Sequence, residues 1–565
     1  MSKKKSTAKK NAPAASPEPA ASGSGSRSEK SDKPHSLKHN LRRGKDPESD
    51  WQWGFRFVSL LAAVTLLRAL FAMLAELKYE EAYYWLYSQH MSLSYFDHPP
   101  MVGWLIWLST KLGGDGEFFV RLPTLLCGAA TLLLIYLLAE RIFNAKTAFI
   151  AACIAAVLPA FELYAVFTMP DAPLLTFWCL GLYAGYRIYA DENKNYWLVL
   201  GAATGLAMLS KYPGLLTPLA VLLTVFLTKK YSLLKCWQFP AAIALAAAIF
   251  SPVIIWNYQN GWISFLYQGA CRFKEATSLL DKFGGSALNI SALATPLGVL
   301  FFAWCVYKCF KHIKDEGWLY LFAALLPFAG IIIIVMSMRL VQLNWPLPVY
   351  PALVIMTAAF LEEEQVWRKW SWRIALALVF VPALLISLFP LATAIKPFAA
   401  LNRFNEIKGW DTVGKEAVIA LNKTADPTRC FIAGNAYGEA AEIAYYSKLP
   451  ERTLSSNIFG DYARSFDFWS PKGAYKGWDC VYIVSERLKS DGSFVPLEPF
   501  KLEFIEPYFE SINTEIHKVT AYNGGKPLRR YRLYTCHGYK GIPCSPEESF
   551  ISFIQKTNKR GKTAK

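Results

Sequence analysis

About eleven apolar runs fill most of the first 400 residues, at roughly 53–75, 119–140, 147–167, 172–190, 196–210, 212–228, 237–256, 287–307, 317–337, 344–361 and 373–395. Each approaches the ~20 residues that a helix needs to cross a bilayer. In lipid every backbone N–H and C=O must be satisfied within its own segment, so runs of this kind have one economical fold, the α-helix. With 53% hydrophobic and only 18% charged residues over 565 positions, the chain lacks the polar surface of a soluble protein of this length. The expectation is an α-helical polytopic membrane protein of about 11 transmembrane helices.

Basic residues orient the helices, because cytoplasmic connections collect Lys and Arg. Arg141 and Lys146, Arg187 and Lys194, Lys229, Lys230 and Lys235, Lys308, Lys311 and Lys314, and Arg368, Lys369 and Arg373 fall on alternate connections, together with the basic N-terminus. The N-terminus is therefore expected in the cytoplasm. The loop from Glu80 to Pro100 and everything beyond about residue 396 are expected on the opposite face. The net charge of +17 concentrates in the first 50 residues and in the tail from Lys556 to Lys565, which argues against nucleic acid as a partner and for membrane lipids.

Four regions follow. Residues 1–48, rich in Lys, Ser, Ala, Pro and Gly, have too little apolar surface to fold and read as a disordered basic cytoplasmic arm. Their length and charge favour a retained first span over a cleaved signal. Residues 49–396 form the transmembrane body. Residues 397–550 read as a small exterior α/β domain, with strand-like runs at 430–433, 480–484 and 531–535 and helical patterns at 410–421 and 438–446. Residues 551–565 form a basic tail. Among the eleven cysteines no metal-ligand spacing emerges, and Cys536 with Cys544 is the expected disulfide if the exterior is oxidising.

The chemistry is expected in the first exterior loop. Helical spacing places Glu80, Tyr83, Tyr84 and Tyr87 on one face, a carboxylate and three phenols suited to a sugar, although an interfacial aromatic belt would also explain them. After Asp97 and His98, Pro99 and Pro100 suit a helix start. The apolar segment that follows is short enough to lie along the interface and hold both residues beside Glu80. A second acid, Asp171, stands at the exterior start of a span, as a helix cap or as a functional carboxylate. Lys211, Arg272 with Lys274, and Arg339 lie on the same face; each could snorkel to lipid phosphate, or together they could hold a substrate phosphate.

Six segments, Glu80–Trp85, Tyr95–Pro100, Met169–Pro173, Leu209–Tyr212, Ser251–Asn257 and Asn344–Pro346, together resemble the bacterial branch of glycosyltransferase family 39 in content and order. This branch is similar to the protein O-mannosyltransferases and to the aminoarabinose transferase that modifies lipid A. The resemblance covers about residues 50–400 and extends more weakly to Gly409-Trp410 and Ala440–Tyr446. It implies a GT-C fold, a polyprenyl-phosphate (undecaprenyl-phosphate) sugar donor, a lipid or glycan acceptor such as lipid A, with protein possible, and an active site on the periplasmic face of the bacterial inner membrane. The family's first-loop motif begins Asp-Glu, with the aspartate taken as catalytic base; Glu80 stands there in this chain.

The expected activity is thus an inverting transfer of a hexosyl or pentosyl group, without metal or cofactor. Glu80 would be the catalytic base, with Asp171 sharing or taking that role. Glu81, Tyr83, Tyr84, Asp97, His98, Lys211, Arg272 and Arg339 would bind substrate. The rival expectation is a transporter or flippase of a lipid-linked saccharide, which would place its polar groups near the bilayer midplane rather than at one face.

Overall fold

The computed structural model describes residues 47–271, 278–365, 368–394, 408–489, 491–497, 500–513, 515–523 and 525–563. The described residues fall in one compact unit. The expected disordered arm lies almost wholly outside the described residues, as do Arg272 and Lys274.

The chain opens with α1 (Pro47–Leu74), α2 (Tyr79–Gln89), α3 (Met101–Gly113) and α4 (Glu117–Ile142), followed by α5 (Ala145–Val157), α6 (Pro159–Val166), α7 (Asp171–Ala190) and α8 (Tyr196–Ser210). Then come α9 (Leu219–Thr228), α10 (Gln238–Gln259), α11 (Ile263–Leu266), α12 (Leu279–Ala294), α13 (Pro296–Cys309), α14 (Glu316–Met338), α15 (Tyr350–Glu363) and α16 (Trp370–Ala394). Every expected apolar run falls on helix. Among the described residues five helices, α1, α4, α10, α14 and α16, are long and apolar enough to cross a membrane. Two bent pairs bring the number to as many as seven, so the count of eleven is not established.

The bends have local causes. Pro159 and Pro296 each open a helix, lacking the amide that would continue the preceding one. The α5–α6 and α12–α13 pairs consequently turn by 67° and 87°. Close packing uses small residues. Gly201 and Gly205 of α8 lie against α10, where a Cβ at Gly201 would collide with the Ala242 backbone.

Ion pairs gather the basic connections at one end of the bundle. Arg141 and Arg187 both meet Asp191, Lys230 reaches Glu316 at 3.1 Å, Lys146 reaches Glu362 at 3.5 Å and Lys311 reaches Glu364 at 3.1 Å. The other end carries α2, α3 and the C-terminal region.

That region holds a seven-stranded mixed sheet: β1 (Cys430–Gly434), β2 (Thr453–Leu454), β3 (Asp479–Leu488), β4 (Phe494–Pro496), β5 (Ser511–Ile512), β6 (His517–Asn523) and β7 (Lys526–His537). The path is β2-β1-β3-β7-β5, parallel up to β3 and antiparallel beyond, with β4 on β3 and β6 on β7. The predicted strands and helices all form. Helices α17 (Trp410–Asn422) and α18 (Tyr437–Ser447) cover one face, and an aromatic cluster including Phe431, Tyr482, Tyr534 and Tyr539 fills the other. A one-turn helix, α19 (Phe466–Trp469), lies between β2 and β3.

Two expectations change. The Cys536–Cys544 bridge does not form: Cys536 is a ladder residue of β7 opposite Cys480, Cys544 lies against the turn at Gly460, and the ten described cysteines are all thiols. The basic tail is not a simple tail, because α20 (Pro546–Thr563) runs through it. Phe550 packs 5.5 Å from Phe96 of the first loop, and Phe553 packs 4.6 Å from Tyr462.

Candidate active site

The first loop is built around two buried acids. Glu81 is fully enclosed and takes a two-pronged ion pair from Arg121 of α4, at 2.8 and 2.7 Å. It also accepts the amides of Lys78 and Thr168, each at 3.0 Å. Arg121 in turn donates to the carbonyls of Ala72, Ala75 and Glu76, which the end of α1 leaves unpaired. One ion pair thereby joins α1, α2, α4 and the approach to α7. Glu81, expected beside substrate, has both oxygens committed to this junction.

Asp97 makes the second anchor. Tyr83 donates to its Oδ1 at 3.0 Å, Tyr87 donates to the same oxygen, and Arg464 Nη1 donates to Oδ2 at 2.9 Å. Burial alone would raise this carboxyl, but Arg464, His98 and the two phenols outweigh it and hold its pKa below the ordinary value. Burial, followed by the nearby Asp97 charge, pushes the Tyr83, Tyr84 and Tyr87 phenols well up, so they remain donors. The Tyr83 oxygen also accepts the Ser465 amide at 3.2 Å. The C-terminal domain is therefore clasped to the loop through Asp97.

Further contacts close the same seam. Ala440, Ala441 and Ala444 of α18 pack against α2. Tyr446 Oη accepts the Leu77 amide at 2.7 Å, and Glu76 accepts the amides of Gly409 and Trp410, each at 3.1 Å. Gly409-Trp410 and Ala440–Tyr446 are thus explained by docking.

Where Asp97 faces the C-terminal domain, His98 faces a cavity of about 380 Å³. Asp171 lies on its wall, buried, receiving Lys211 Nζ at 2.8 Å and Asn344 Nδ2 at 2.9 Å. Asp171 is the first residue of α7 and makes no side-chain cap, so helix capping does not account for it. The other walls include Leu174, Leu215, Leu216, Phe328, Ile332 and Trp345. Polar groups converge at one part of a chamber that is otherwise aliphatic and aromatic. Arg339 lies behind this wall, with its guanidinium 5.0 Å over the Trp345 ring.

Glu80 stands apart from Asp97. Its Oε2 lies 3.0 Å from Lys78 Nζ without hydrogen-bond alignment. It falls within electrostatic reach of Tyr437 and Glu442 in the C-terminal domain and, together with Asp171, of Tyr164. Tyr84 lies edge-on to His98 at 5.8 Å and within reach of both Asp97 and Asp171. The structure thus brings together His98, Asp171 and Lys211 at the cavity, joins Tyr83 to Asp97 at the clasp, and leaves Glu80 off the cavity lining, beside Lys78. No cluster of three or more His, Cys, Asp or Glu among the described residues is arranged to hold a metal.

Sequence reasoning missed Asn344 as a partner of Asp171, Arg121 as that of Glu81 and Arg464 as that of Asp97. Arg121 carried a usable signal, being a charge inside an apolar run.

Residues 97–256 match the family described as dolichyl-phosphate-mannose-protein mannosyltransferase. The chain superposes on ArnT from Cupriavidus metallidurans bound to undecaprenyl phosphate with a TM-score of 0.58 at 14% identity, covering 84% of this chain and 97% of that one. At this identity the likeness is one of fold. The superposition extends over most of the chain, in keeping with a multi-pass membrane protein. In sequence, the chain is 26% identical over 322 residues to the lipid A galacturonosyltransferase RgtD of Rhizobium johnstonii, covering 56% of this chain and 65% of that one. It is 29% identical over 199 residues to an undecaprenyl phosphate-alpha-4-amino-4-deoxy-L-arabinose arabinosyl transferase of Pseudomonas aeruginosa, covering 33% of this chain and 30% of that one. The matches span less than two thirds of these curated relatives.

Proposed function

We propose that the protein transfers a sugar from a polyprenyl-phosphate donor to a hydroxyl or phosphate of an envelope glycolipid of the lipid A type. The observation that carries this reading is the Asp171–Lys211–Asn344 group on the wall of a largely apolar cavity. An amphiphile with a phosphate head and a hydrocarbon tail matches that division. The similarity to RgtD and to the arabinosyl transferase supports the same donor and acceptor classes.

In this mechanism Glu80 is the base. Both Asp171 oxygens are engaged by neighbours, whereas the described contacts of Glu80 fall on one oxygen. The acceptor oxygen attacks the anomeric carbon as Glu80 takes its proton, the bond from that carbon to the donor phosphate oxygen breaks, and a single displacement inverts the centre. Lys211, oriented by Asp171, stabilises the charge growing on the departing phosphate. His98 and Tyr84 form the partition against which the sugar is placed.

The test uses purified full-length protein with synthetic undecaprenyl-phosphate sugars and lipid A: release of undecaprenyl phosphate with mass gain on the acceptor supports transfer, and passage of intact donor across a vesicle without cleavage supports the transporter reading. Orientation is part of the proposal, with the exterior domain periplasmic and the basic end cytoplasmic in a bacterial inner membrane. Single cysteines replacing Glu451 and Glu192, both well exposed, test it in a background without reactive native thiols. An impermeant thiol reagent added to spheroplasts should label the first and spare the second.

A further inference from the structure

Between α14 and α15 the cavity wall is a short segment held at three points. At Val341 it is fastened to α12: Ser286 Oγ accepts the Val341 amide at 2.9 Å, and Asn289 Nδ2 donates to the Val341 carbonyl at 2.8 Å. At Asn344 it is fastened to Asp171, at 2.9 Å. The third point is Arg339, whose guanidinium lies 5.0 Å over the ring of Trp345.

Arg339 follows the last residue of α14, with an extended backbone and its amide on the Val335 carbonyl at 2.9 Å. A cation at a helix C-terminus suits the helix dipole, and one at the end of a span can reach for headgroups. Neither accounts for the ring contact, because Arg339 is buried, with only 6% exposure. Trp345, unlike Arg339, belongs to the described lining of the cavity. Its indole N–H donates to Gln342 Oε1 at 3.2 Å, so the ring is fixed at its edge by Gln342 and on one face by the cation. Indole is the strongest partner for such a cation, more so where water is excluded. A ring with an apolar body and a polar tip suits a boundary between polar and apolar surroundings. Trp345 stands at one: its neighbour Asn344 holds Asp171, while Phe328, Ile332 and Val335 of α14 line the same cavity.

We propose that Arg339 is a positioning residue for transfer, acting through Trp345, whose ring packs against the isoprene units next to the donor phosphate. This rests on the transfer reading above. Arg339 then reaches the donor only through the indole, while Lys211 meets the phosphate itself.

The experiment is a double-mutant cycle in full-length protein, read as Kd for undecaprenyl phosphate and as kcat/KM for a synthetic undecaprenyl-phosphate sugar, with the thermal midpoint of each variant. Arg339→Gln should weaken both by about ten-fold, the scale of a desolvated cation–π contact, chiefly through donor KM. Arg339→Lys, which keeps a cation, should restore most of the loss. With Trp345→Phe the Arg339→Gln loss should remain several-fold; with Trp345→Leu it should shrink to about two-fold or less, because the ring it acts through is gone. A ten-fold loss that persists beside Trp345→Leu would overturn the proposal and put Arg339 on the substrate directly. A lowered midpoint with Kd and kcat/KM unchanged per folded protein would overturn it in favour of a purely structural arginine. A donor carried on two isoprene units should show the same dependence, and a loss confined to the long carrier would overturn the contact assigned beside the phosphate. Because Kd needs no turnover, the cycle remains readable if Trp345→Leu is too slow to assay. An unaltered protein that neither binds undecaprenyl phosphate nor turns over a donor would defeat the transfer reading itself.

Discussion

Replacing Lys211 by Met separates what the Asp171–Lys211 pair does for the fold from what it does for catalysis. Both partners are buried, with Nζ 2.8 Å from the carboxylate. At an effective dielectric of about 20 this separation corresponds to a direct attraction of about 6 kcal/mol, before desolvation is counted. Removing the cation strands the carboxylate, whose remaining support includes the 2.9 Å hydrogen bond from Asn344. Lys211→Met should therefore destabilise by about 3–5 kcal/mol, whereas Lys211→Met/Asp171→Asn, which removes both charges, should return to within about 1 kcal/mol of the unaltered protein. Transfer should not return: both variants should remain about 10²–10³-fold down, because the departing phosphate has lost its cation. Thermal midpoints in detergent and turnover on synthetic donor measure the two effects separately. A double variant no more stable than the single one would refute the stranded-charge argument. A double variant with near-normal turnover would refute the phosphate role.

Glu80→Gln should lower transfer by about 10² or more at normal yield, and Glu80→Asp should retain appreciable turnover; full activity in the Gln variant would move the base elsewhere. Glu81→Gln should act first on folding, with a loss of about 3–5 kcal/mol from breaking a buried pair, visible as reduced monodisperse protein; a stable but inactive variant would contradict its anchoring role. Asp467, buried and accepting from Ala463 N and Ser549 Oγ, has its pKa pushed up to about 7, chiefly by burial. A raised folded-state pKa means that stability is full below the ordinary carboxylate pKa and is lost as pH rises through about 7. Hydrogen exchange near Ser549 should accordingly quicken between pH 6 and 8 beyond its intrinsic rate, and Asp467→Asn should flatten that dependence.

Much of the helical body was legible because lipid leaves an apolar run one way to satisfy its backbone. The alternating basic connections likewise identified the end where Arg141, Arg187, Lys230 and Lys311 meet their acids. The bends at Pro159 and Pro296 were less visible, because hydrophobicity continues through both while only the proline changes direction. At the site, Glu81 and Glu80 are adjacent letters of similar chemistry. Their different surroundings depend on Arg121, Thr168 and Tyr437, which lie far away in sequence and approach only in the fold. Single charges in apolar runs were underused: Arg68 of α1 meets Glu162 of α6 at 2.7 Å, a pairing that a lone charge in lipid all but requires.

The clasp between Asp97 and Arg464 sets a timetable for biosynthesis. The two partners are 367 residues apart, so at ribosomal speeds of about 5–20 residues per second the first loop waits roughly 20–70 s for its counterpart. During that interval Asp97 lacks Arg464, and α2 lacks the alanine face of α18. A nascent chain whose helical body is already in place would still lack this seam. The seam between the first loop and the C-terminal domain would then close only after the last domain has folded, which makes its completion a late step in the assembly of this chain.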